Sequence, residues 1–388
     1  MRTEKNISVF PMQSYLMALF GGDEHRGGPN WSDWSDVNTS RFFRNNNPVD
    51  SIPETQCDIT EKFQESGVWI GPLSWHFGHF VSEVASRLPY SMNFSPSAPI
   101  IFAADLTVRS QKEYRKSFSP QTHPPLYLSQ IIEWFGGDPK NIITIGNATR
   151  FEELYSFPQA EHLGNIDACG PSSFHIDVLT ENSRRMKIEN RDKAVFVSRS
   201  HVKKTIAGEE YLEKAFSDAG VDVIFPEKMT IEAQMCAYMS YETIIFPEGS
   251  ALHGLQLLGK IPGRVILIQR RQTHPFRKYI DPRAAGFTEV NAIIAQVFGR
   301  WPVGGHDTAN GISILDPDKF VADMKNAGID LEKVWSSRQM MKAARADFFT
   351  WLRDTGISIG SVSVASATCL TRTAFKGALK LAMDKVTR

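Results

Sequence analysis

Two histidines and a glutamate stand at the start of a predicted helix with a spacing suited to acid–base chemistry. His76, His79 and Glu83 fall at i, i+3 and i+7, so one helical face presents all three side chains. A histidine held by a carboxylate one turn further along can act as a general base, and His79 with Glu83 has this arrangement. A metal site could use the same spacing, but a fourth ligand is not evident. Histidines packed in a hydrogen-bonded core are the remaining alternative.

A second group of polar residues follows the predicted strands of region 194–269. The carboxyl ends of parallel strands meet at one edge of a sheet, and ligands bind there. Gly249 and Ser250 open a helix at this edge, where glycine lets a ligand approach, Ser250 can cap, and the first N–H groups can face an anion. The edge predicts a site for an anionic ligand, most simply a diphosphate, although solvated loop charges are the alternative. Its five basic side chains are Arg199, Lys203, Lys204, Arg270 and Arg271.

Alternating strands and helices are predicted to position this edge. Alternation through four strands implies a parallel sheet built from right-handed crossovers. Gly220 follows the first of the helices, at the position where a left-handed residue commonly ends a helix. The predicted strands are 195–197, 221–225, 243–246 and 265–268, and the helices between them are 209–219, one capped by Thr230, and 250–258.

An earlier alternation predicts a first α/β domain, which carries the two histidines on a helix that Pro89 is expected to close. Residues 1–66 hold clusters of Gly, Pro and Asn without periodicity, which predicts an irregular, loop-rich extension. In the first domain we predict strands at 68–70, 99–104 and 142–145 and helices at 77–88 and 126–135.

Composition and charge narrow the class of protein. The 388-residue chain holds 43 Lys+Arg against 43 Asp+Glu, so its net charge is +0 and no nucleic-acid partner is expected. No apolar run approaches the roughly 20 residues that span a bilayer, and the N-terminus lacks the apolar core of a signal peptide. The four cysteines are far apart and show no CxxC spacing, which predicts reduced thiols and a cytoplasmic location.

The common nucleotide-binding motifs are absent from the sequence. There is no GxGxxG and no GxxxxGK[ST], so neither a standard dinucleotide site nor a P-loop is supported. GxSxG is absent too, which removes the usual hydrolase elbow. Asp316 and Asp318 could hold a divalent ion, but Pro317 between them favours an ordinary helix N-cap. We therefore assign no metal and no resident cofactor.

Three separate motifs lie in this order along the chain: WHFGHFVSEVASRLP from Trp75, VFVSRSHVKKTIAGEE from Val195, and FPEKMTIEAQMCAYMSYETIIFPEGSALHGL from Phe225. Together they resemble glycosyltransferase family 61, in its bacterial type that builds polysaccharides. The resemblance spans roughly residues 69–270. It implies an α/β, GT-B-like fold, with two facing Rossmann-like domains, parallel sheets and C-terminal helices. The expected regions are an irregular extension at 1–66, an acceptor-side α/β domain at 67–185, a nucleotide-sugar-binding domain at 186–310, and helices at 311–388 that pack back on the body.

The resemblance also implies roles for individual residues. Arg199 matches the arginine expected near a donor diphosphate, and the loop from Glu248 matches the family's His-Gly-Ala-x-Leu-x-Asn loop. Glu248 replaces the histidine of that loop and could accept hydrogen bonds from ribose hydroxyls. His79 and Glu83 are the expected catalytic pair, and Trp75 and His76 are expected to face the acceptor. The expected donor-binding residues are Arg199, Lys203, Lys204, Glu248, Gly249, Ser250, His253 and Arg271.

The reaction implied is metal-independent transfer of a sugar, with inversion, from a nucleotide sugar to a hydroxyl of a glycan or lipid-linked acceptor. A UDP-linked sugar is the expected co-substrate, and surface polysaccharide assembly is the expected setting. A non-catalytic scaffold or anionic-ligand-binding protein with the same fold is the alternative, and the oligomeric state is left open. The last segment, 371–388, could lie on the inner face of a membrane, but its pattern favours a helix that packs on the body.

Overall fold

The computed structural model describes most of the 388-residue chain, which contains two large β-sheets. Trp75, Lys203 and Lys204 of the predicted site, and the predicted tail helix at 371–388, lie outside the described residues. The structure describes residues 1–13, 25–36, 41–44, 47–54, 61–62, 66–74, 76–104, 124–162, 170–189, 191–202, 205–271, 276–298, 311–355 and 363–366.

The first sheet has seven strands in the described part of the chain, and four neighbouring strands within it are parallel. The two central strands, Gly67–Pro72 and Ile100–Ala103, are buried throughout, as expected for strands covered on both faces. The three strands predicted here are confirmed. In spatial order the parallel strands are Ile142–Ile145, Ile100–Ala103, Gly67–Pro72 and Thr149–Ser156; the sheet continues through Arg2–Phe10 to Gly28–Pro29, and Glu61–Lys62 also pairs with Thr149–Ser156.

The N-terminal segment is more regular than the sequence predicts. Arg2–Phe10 is a nine-residue strand that runs antiparallel to Thr149–Ser156. Its inward residues Ile7 and Val9 pack with Phe151, whereas its first half is polar and half exposed. The prediction of an irregular extension is therefore wrong for Arg2–Phe10. This strand is stabilised by a partner far away along the chain, so its own residues show no local periodic pattern that would predict it.

The helix that carries the two histidines changes its winding along its length. It begins as a short α-helix at Phe77–His79, continues as a π-helix at Phe80–Val84 and a 3₁₀ turn at Ala85–Arg87, and ends as the α-helix Leu88–Phe94. Pro89 does not close it, as the sequence predicts, but lies in the first turn of the last segment, where a missing N–H costs no hydrogen bond. We call Phe77–Val84 the histidine helix. The further helices of this half are Leu126–Trp134, as predicted, and Ser173–Ser183.

The second sheet has five strands in the described residues, and all of them are parallel. Numbered along the chain, their spatial order is 2-1-3-4-5, and the direction of winding reverses between the first and third strands. In spatial order they are Asp222–Ile224, Arg191–Val197, Tyr241–Pro247, Arg264–Ile268 and Gly286–Val290, and the helices that connect them are Glu209–Asp218, Ile231–Ser240, Ser250–Leu257 and Arg277–Ile280.

The predicted alternation in this region is confirmed, with one strand added. Thr230 caps the helix Ile231–Ser240 through a bond from the Ala233 main-chain N–H, at 3.2 Å. Gly220 has a φ of +83° after the preceding helix, as its position indicated. Gly286–Val290 escaped prediction because most of its residues are only half-buried, so it lacks the apolar run of the other strands.

The C-terminal part of the described chain adds helices and a small antiparallel sheet. The sheet pairs Ile293–Phe298 with Ile312–Leu315 and Ser363–Ser366. Asp316 is an N-cap that accepts from the Lys319 N–H at 3.0 Å, as predicted. Phe320 and Met340 pack into the core of the second sheet. The helices of this part are Pro317–Asn326 and Ser337–Thr355.

One continuous apolar cluster joins the two large sheets. It contains Val68 and Phe80 from the first half together with Val195 and Leu252 from the second. The structure is thus a mixed α/β fold with parallel sheets, and the two facing domains remain a prediction. No helix in the described residues is long and apolar enough to span a bilayer. Cys236 is a free thiol.

Candidate functional site

Arg199 lies at the carboxyl edge of the second sheet, at the point where the winding direction reverses. Its main-chain N–H donates to Glu209 Oε1 at 2.7 Å, which fixes the turn after the first strand. Its guanidinium lies directly over Gly249, since a Cβ on that glycine would be only 1.9 Å from Arg199 Nη1. The absence of a side chain at Gly249 therefore lets the guanidinium reach the start of the next helix.

The helix Ser250–Leu257 begins at this point, although it differs from the sequence prediction in two ways. It is a 3₁₀-helix rather than an α-helix, and Ser250 is its first residue rather than its cap. Gly249 occupies the cap position, in extended backbone with a φ of 170°. The first N–H groups of the helix thus lie beside the Arg199 guanidinium, and together they form a cationic corner that suits phosphate oxygens.

Glu248 forms its hydrogen bonds with other residues of the protein. The residue is fully buried, and its Oε2 accepts from the main-chain N–H groups of Arg270 at 3.0 Å and Arg271 at 3.1 Å. Its Oε1 is paired with Arg271 Nε. This burial is at odds with the prediction that Glu248 accepts from a ribose. The carboxylate instead holds the turn after the fourth strand and directs Arg271, whose side chain stays partly exposed.

The histidine helix carries the predicted catalytic pair. His79 Nδ1 lies 3.5 Å from Glu83 Oε1, one turn further along, as the spacing predicted. Glu83 is fully buried and also accepts from Arg44, at 2.6 Å from Nη2 and 3.0 Å from Nε. Burial alone would raise the pKa of Glu83, but Arg44 and His79 outweigh it and lower that pKa below its usual range. The Glu83 carboxylate therefore lies beside Nδ1 of His79, at 3.5 Å.

The two halves of the molecule meet between the histidine helix and Ser250–Leu257. A Cβ on Gly78 would lie 3.0 Å from Ser250 Cβ and 3.1 Å from His253 Cδ2, so the two helices are in direct contact. This contact brings His76 and His79 beside the cationic corner formed by Arg199 and Ser250. Residues that the sequence predicted for two different domains therefore lie close together in the structure.

The neighbouring histidines differ electrostatically from His79. Desolvation, followed by the proximity of His79, His253 and Arg199, lowers the pKa of His76 to about 4, although the residue remains partly exposed to solvent. Desolvation likewise lowers the pKa of His253 to about 4, and the charges of His79 and Arg271 act in the same direction. Both rings are neutral at pH 7 and are weak bases. His79 is the ring of the three that has a carboxylate at 3.5 Å.

Glu209 supports the loop of Arg199 from beneath. It is fully buried, accepts from Ser198 Oγ at 3.2 Å as well as from the Arg199 N–H, and has an Oε2 without a hydrogen-bond partner among the described residues. Burial raises the pKa of Glu209 to about 7, against the opposing effects of the Arg199 N–H, the Arg199 charge and Ser198.

The buried Glu209 predicts a pH dependence of stability. Because its folded pKa of about 7 exceeds its ordinary value of 4.5, the wild type loses stability as pH rises through this window. Glu209→Gln removes the titration, so the variant should gain about 1–3 kcal/mol relative to the wild type between pH 5 and pH 8. Urea midpoints at the two pH values measure this, with the exposed Glu232→Gln as the control. An equal difference between wild type and Glu209→Gln at both pH values would contradict the shift.

Some predicted residues are not tested by this geometry. Trp75, Lys203 and Lys204 lie outside the described residues, so their predicted roles stay predictions. Within the described ranges, no group of three or more His, Cys, Asp or Glu side chains is arranged to hold a metal ion. Arg44 was not anticipated, because no local pattern links it to Glu83, 39 residues later.

One family model matches the part of the chain that contains most of these residues. The family model described as Glycosyltransferase 61 matches residues 77–260. The matched region contains His79, Glu83, Arg199 and the segment from Glu248 to His253, and it lies within the region identified from the three motifs. His76 and Arg271 lie outside the match. No curated protein matches the chain at a significant level.

Proposed function

We infer the following reaction from the premise that residues 77–260 belong to glycosyltransferase family 61 and that the chain is a glycosyltransferase. It transfers a sugar from a nucleotide donor, most simply a UDP-sugar, to a hydroxyl of a glycan or lipid-linked acceptor, with inversion and without a metal. The observation that carries this proposal is the direct contact between the helix of His79 and the helix start beside Arg199. Assembly of a surface polysaccharide is the setting we propose.

The donor diphosphate binds at the cationic corner. The Arg199 guanidinium can form two parallel hydrogen bonds with phosphate oxygens, and the N–H groups at the start of Ser250–Leu257 supply further donors. Arg271, directed by Glu248, adds positive charge at the neighbouring strand end. These groups are fixed before the reaction, so they stabilise the negative charge that develops on the leaving diphosphate without reorganising.

The acceptor binds on the side of the histidine helix. Nε2 of His79 takes the proton of the acceptor hydroxyl, and Glu83 stabilises the imidazolium that forms. The acceptor oxygen bonds to the anomeric carbon from the face opposite the diphosphate, and the bond from that carbon to the diphosphate oxygen breaks with its electron pair. Inversion follows, because a single displacement reverses the configuration of that carbon.

Nucleotide binding tests this proposal and yields a prediction for Gly249. We expect UDP or another nucleoside diphosphate to raise the Tm of the wild type in a thermal-shift panel. Gly249→Ala should weaken that binding by about tenfold or more, since a Cβ 1.9 Å from Arg199 Nη1 must displace the guanidinium. Gly286→Ala is the matched control, because its Cβ would meet only Arg264 Cβ at an ordinary 3.6 Å. No shift with any nucleoside diphosphate at millimolar concentration would refute the donor assignment.

A further inference from the structure

A chain of buried polar groups runs from His253 into the protein. His253 Nδ1 lies 2.7 Å from Gln256 Oε1, and Gln256 Nε2 donates to Glu161 Oε2 at 2.6 Å. Glu161 Oε1 is paired with the guanidinium of Arg283, and both of these residues are almost completely buried. Glu161 lies just after the last strand of the first sheet, whereas Gln256 and Arg283 belong to the second half of the chain.

This chain fixes the orientation of the Gln256 amide. Arg283 donates to Oε1 of Glu161, so the Glu161 carboxylate acts as a hydrogen-bond acceptor in this chain. The amide nitrogen of Gln256 must therefore face Glu161, and its oxygen must face His253. A carbonyl oxygen cannot donate, so His253 Nδ1 must carry the proton. Because burial lowers the pKa of His253 to about 4, the ring is neutral at pH 7 and its Nε2 has a free lone pair.

The position of His253 Nε2 indicates which ligand groups it can contact. His253 lies one turn beyond Ser250 on the same helix, and the Cδ2 next to Nε2 would be 3.1 Å from a Cβ on Gly78. Gly78 directly precedes His79, so the ring lies close both to the helix start at Ser250 and to the chain segment of the proposed base. Nε2 has no hydrogen-bond partner among the described residues. In the proposed reaction, the sugar being transferred lies between the cationic corner and His79.

We propose that His253 recognises the transferred sugar: Gln256 and Glu161 hold it as the Nδ1–H tautomer, and its Nε2 accepts a hydrogen bond from a sugar hydroxyl. This inference deepens the proposed function and rests on it for the identity of the ligand. An anion would be repelled by the Nε2 lone pair, so His253, predicted among the donor-binding residues, contributes to sugar selection rather than to diphosphate binding. Gln256 and Glu161 are positioning residues that act through His253.

The tautomer can be measured without any ligand. In ¹⁵N-histidine-labelled protein at pH 7, long-range ¹H–¹⁵N correlations should show His253 protonated at Nδ1 and unprotonated at Nε2. His253→Asn identifies the signals by their loss. The variant Gln256→Leu should remove the preference for the Nδ1–H form, whereas Gln159→Leu, a glutamine bonded to the main chain of Phe43, should leave it unchanged. An Nε2–H or doubly protonated ring in the wild type would overturn the proposal even if Gln256→Leu fails to fold.

Measured affinities then test whether the ligand of His253 is the sugar of a UDP-sugar. The probes are UDP and its sugar conjugates with glucose, galactose, N-acetylglucosamine and xylose. His253→Phe and Gln256→Leu should weaken the best-bound UDP-sugar by about 5- to 10-fold, the usual effect of one hydrogen bond, and change UDP affinity less than about twofold. Equal losses for UDP and UDP-sugar would refute recognition of the sugar. Absence of binding by every probe would refute the ligand and the proposed donor, while the tautomer measurement would still stand.

Discussion

The variant His79→Gln is expected to lower kcat by about 10²–10⁴, the range that a positioned general base contributes. Glutamine keeps a polar side chain of similar reach but cannot take up a proton. The ring it replaces lies 3.5 Å from a buried carboxylate that Arg44 holds in place. The loss should be in kcat and kcat/KM alike, because proton transfer stabilises only the transition state. Steady-state kinetics with the donor identified in the nucleotide panel measure both quantities.

The neighbouring His76 provides a matched comparison. Its ring centroid is 4.9 Å from that of His79, but desolvation and nearby positive charges lower its pKa to about 4. His76→Gln should therefore raise KM for the acceptor and change kcat less than about tenfold, since a weak base contributes little to proton transfer. UDP affinity should stay unchanged in both variants. If His76→Gln loses more kcat than His79→Gln, the base has been assigned to the wrong ring.

The second sheet could be predicted from the sequence because its signals are local. Strands such as Arg264–Ile268 are short runs of buried apolar residues between turn residues, and the helices between them begin and end at recognisable caps. Once the strands are known, the rule for ligand sites at their carboxyl ends places Arg199 and Gly249 side by side. The structure brings them together at the point where the winding reverses.

The partners of these residues could not be predicted, because they come from distant parts of the chain. Arg44 approaches Glu83 from a segment without periodicity, and Glu161 approaches Gln256 from 95 positions earlier in the chain.

Glu248 illustrates a different limit of prediction from the sequence. The strand-end rule gives its position correctly, but whether a carboxylate there faces a ligand or the backbone depends on how the next loop folds. Here two consecutive main-chain N–H groups after the fourth strand donate to Oε2, and the buried carboxylate faces the protein's own loop.

The second large effect is expected from Arg199→Met, which should lower kcat by about 10²–10³, the usual loss when one preorganised donor to a developing anion is removed. Affinity for UDP should fall as well, because the guanidinium contacts the diphosphate before and after transfer. Arg199→Lys should recover part of the loss, since it keeps the charge but not the paired hydrogen bonds. Isothermal titration with UDP and steady-state kinetics separate the two effects.

Arg199→Met should leave the fold intact, which makes the result interpretable. The contact that fixes the loop is made by the main-chain N–H of Arg199 to Glu209, and the substitution retains it. Arg184→Met is the control, because Arg184 is a highly exposed arginine that pairs with exposed Glu181, and it should behave as the wild type. Unchanged UDP affinity in Arg199→Met would show that the diphosphate binds elsewhere. The convergence of His79 and Arg199 would then be a packing contact between two helices, and the donor site would have to be sought away from the switch point.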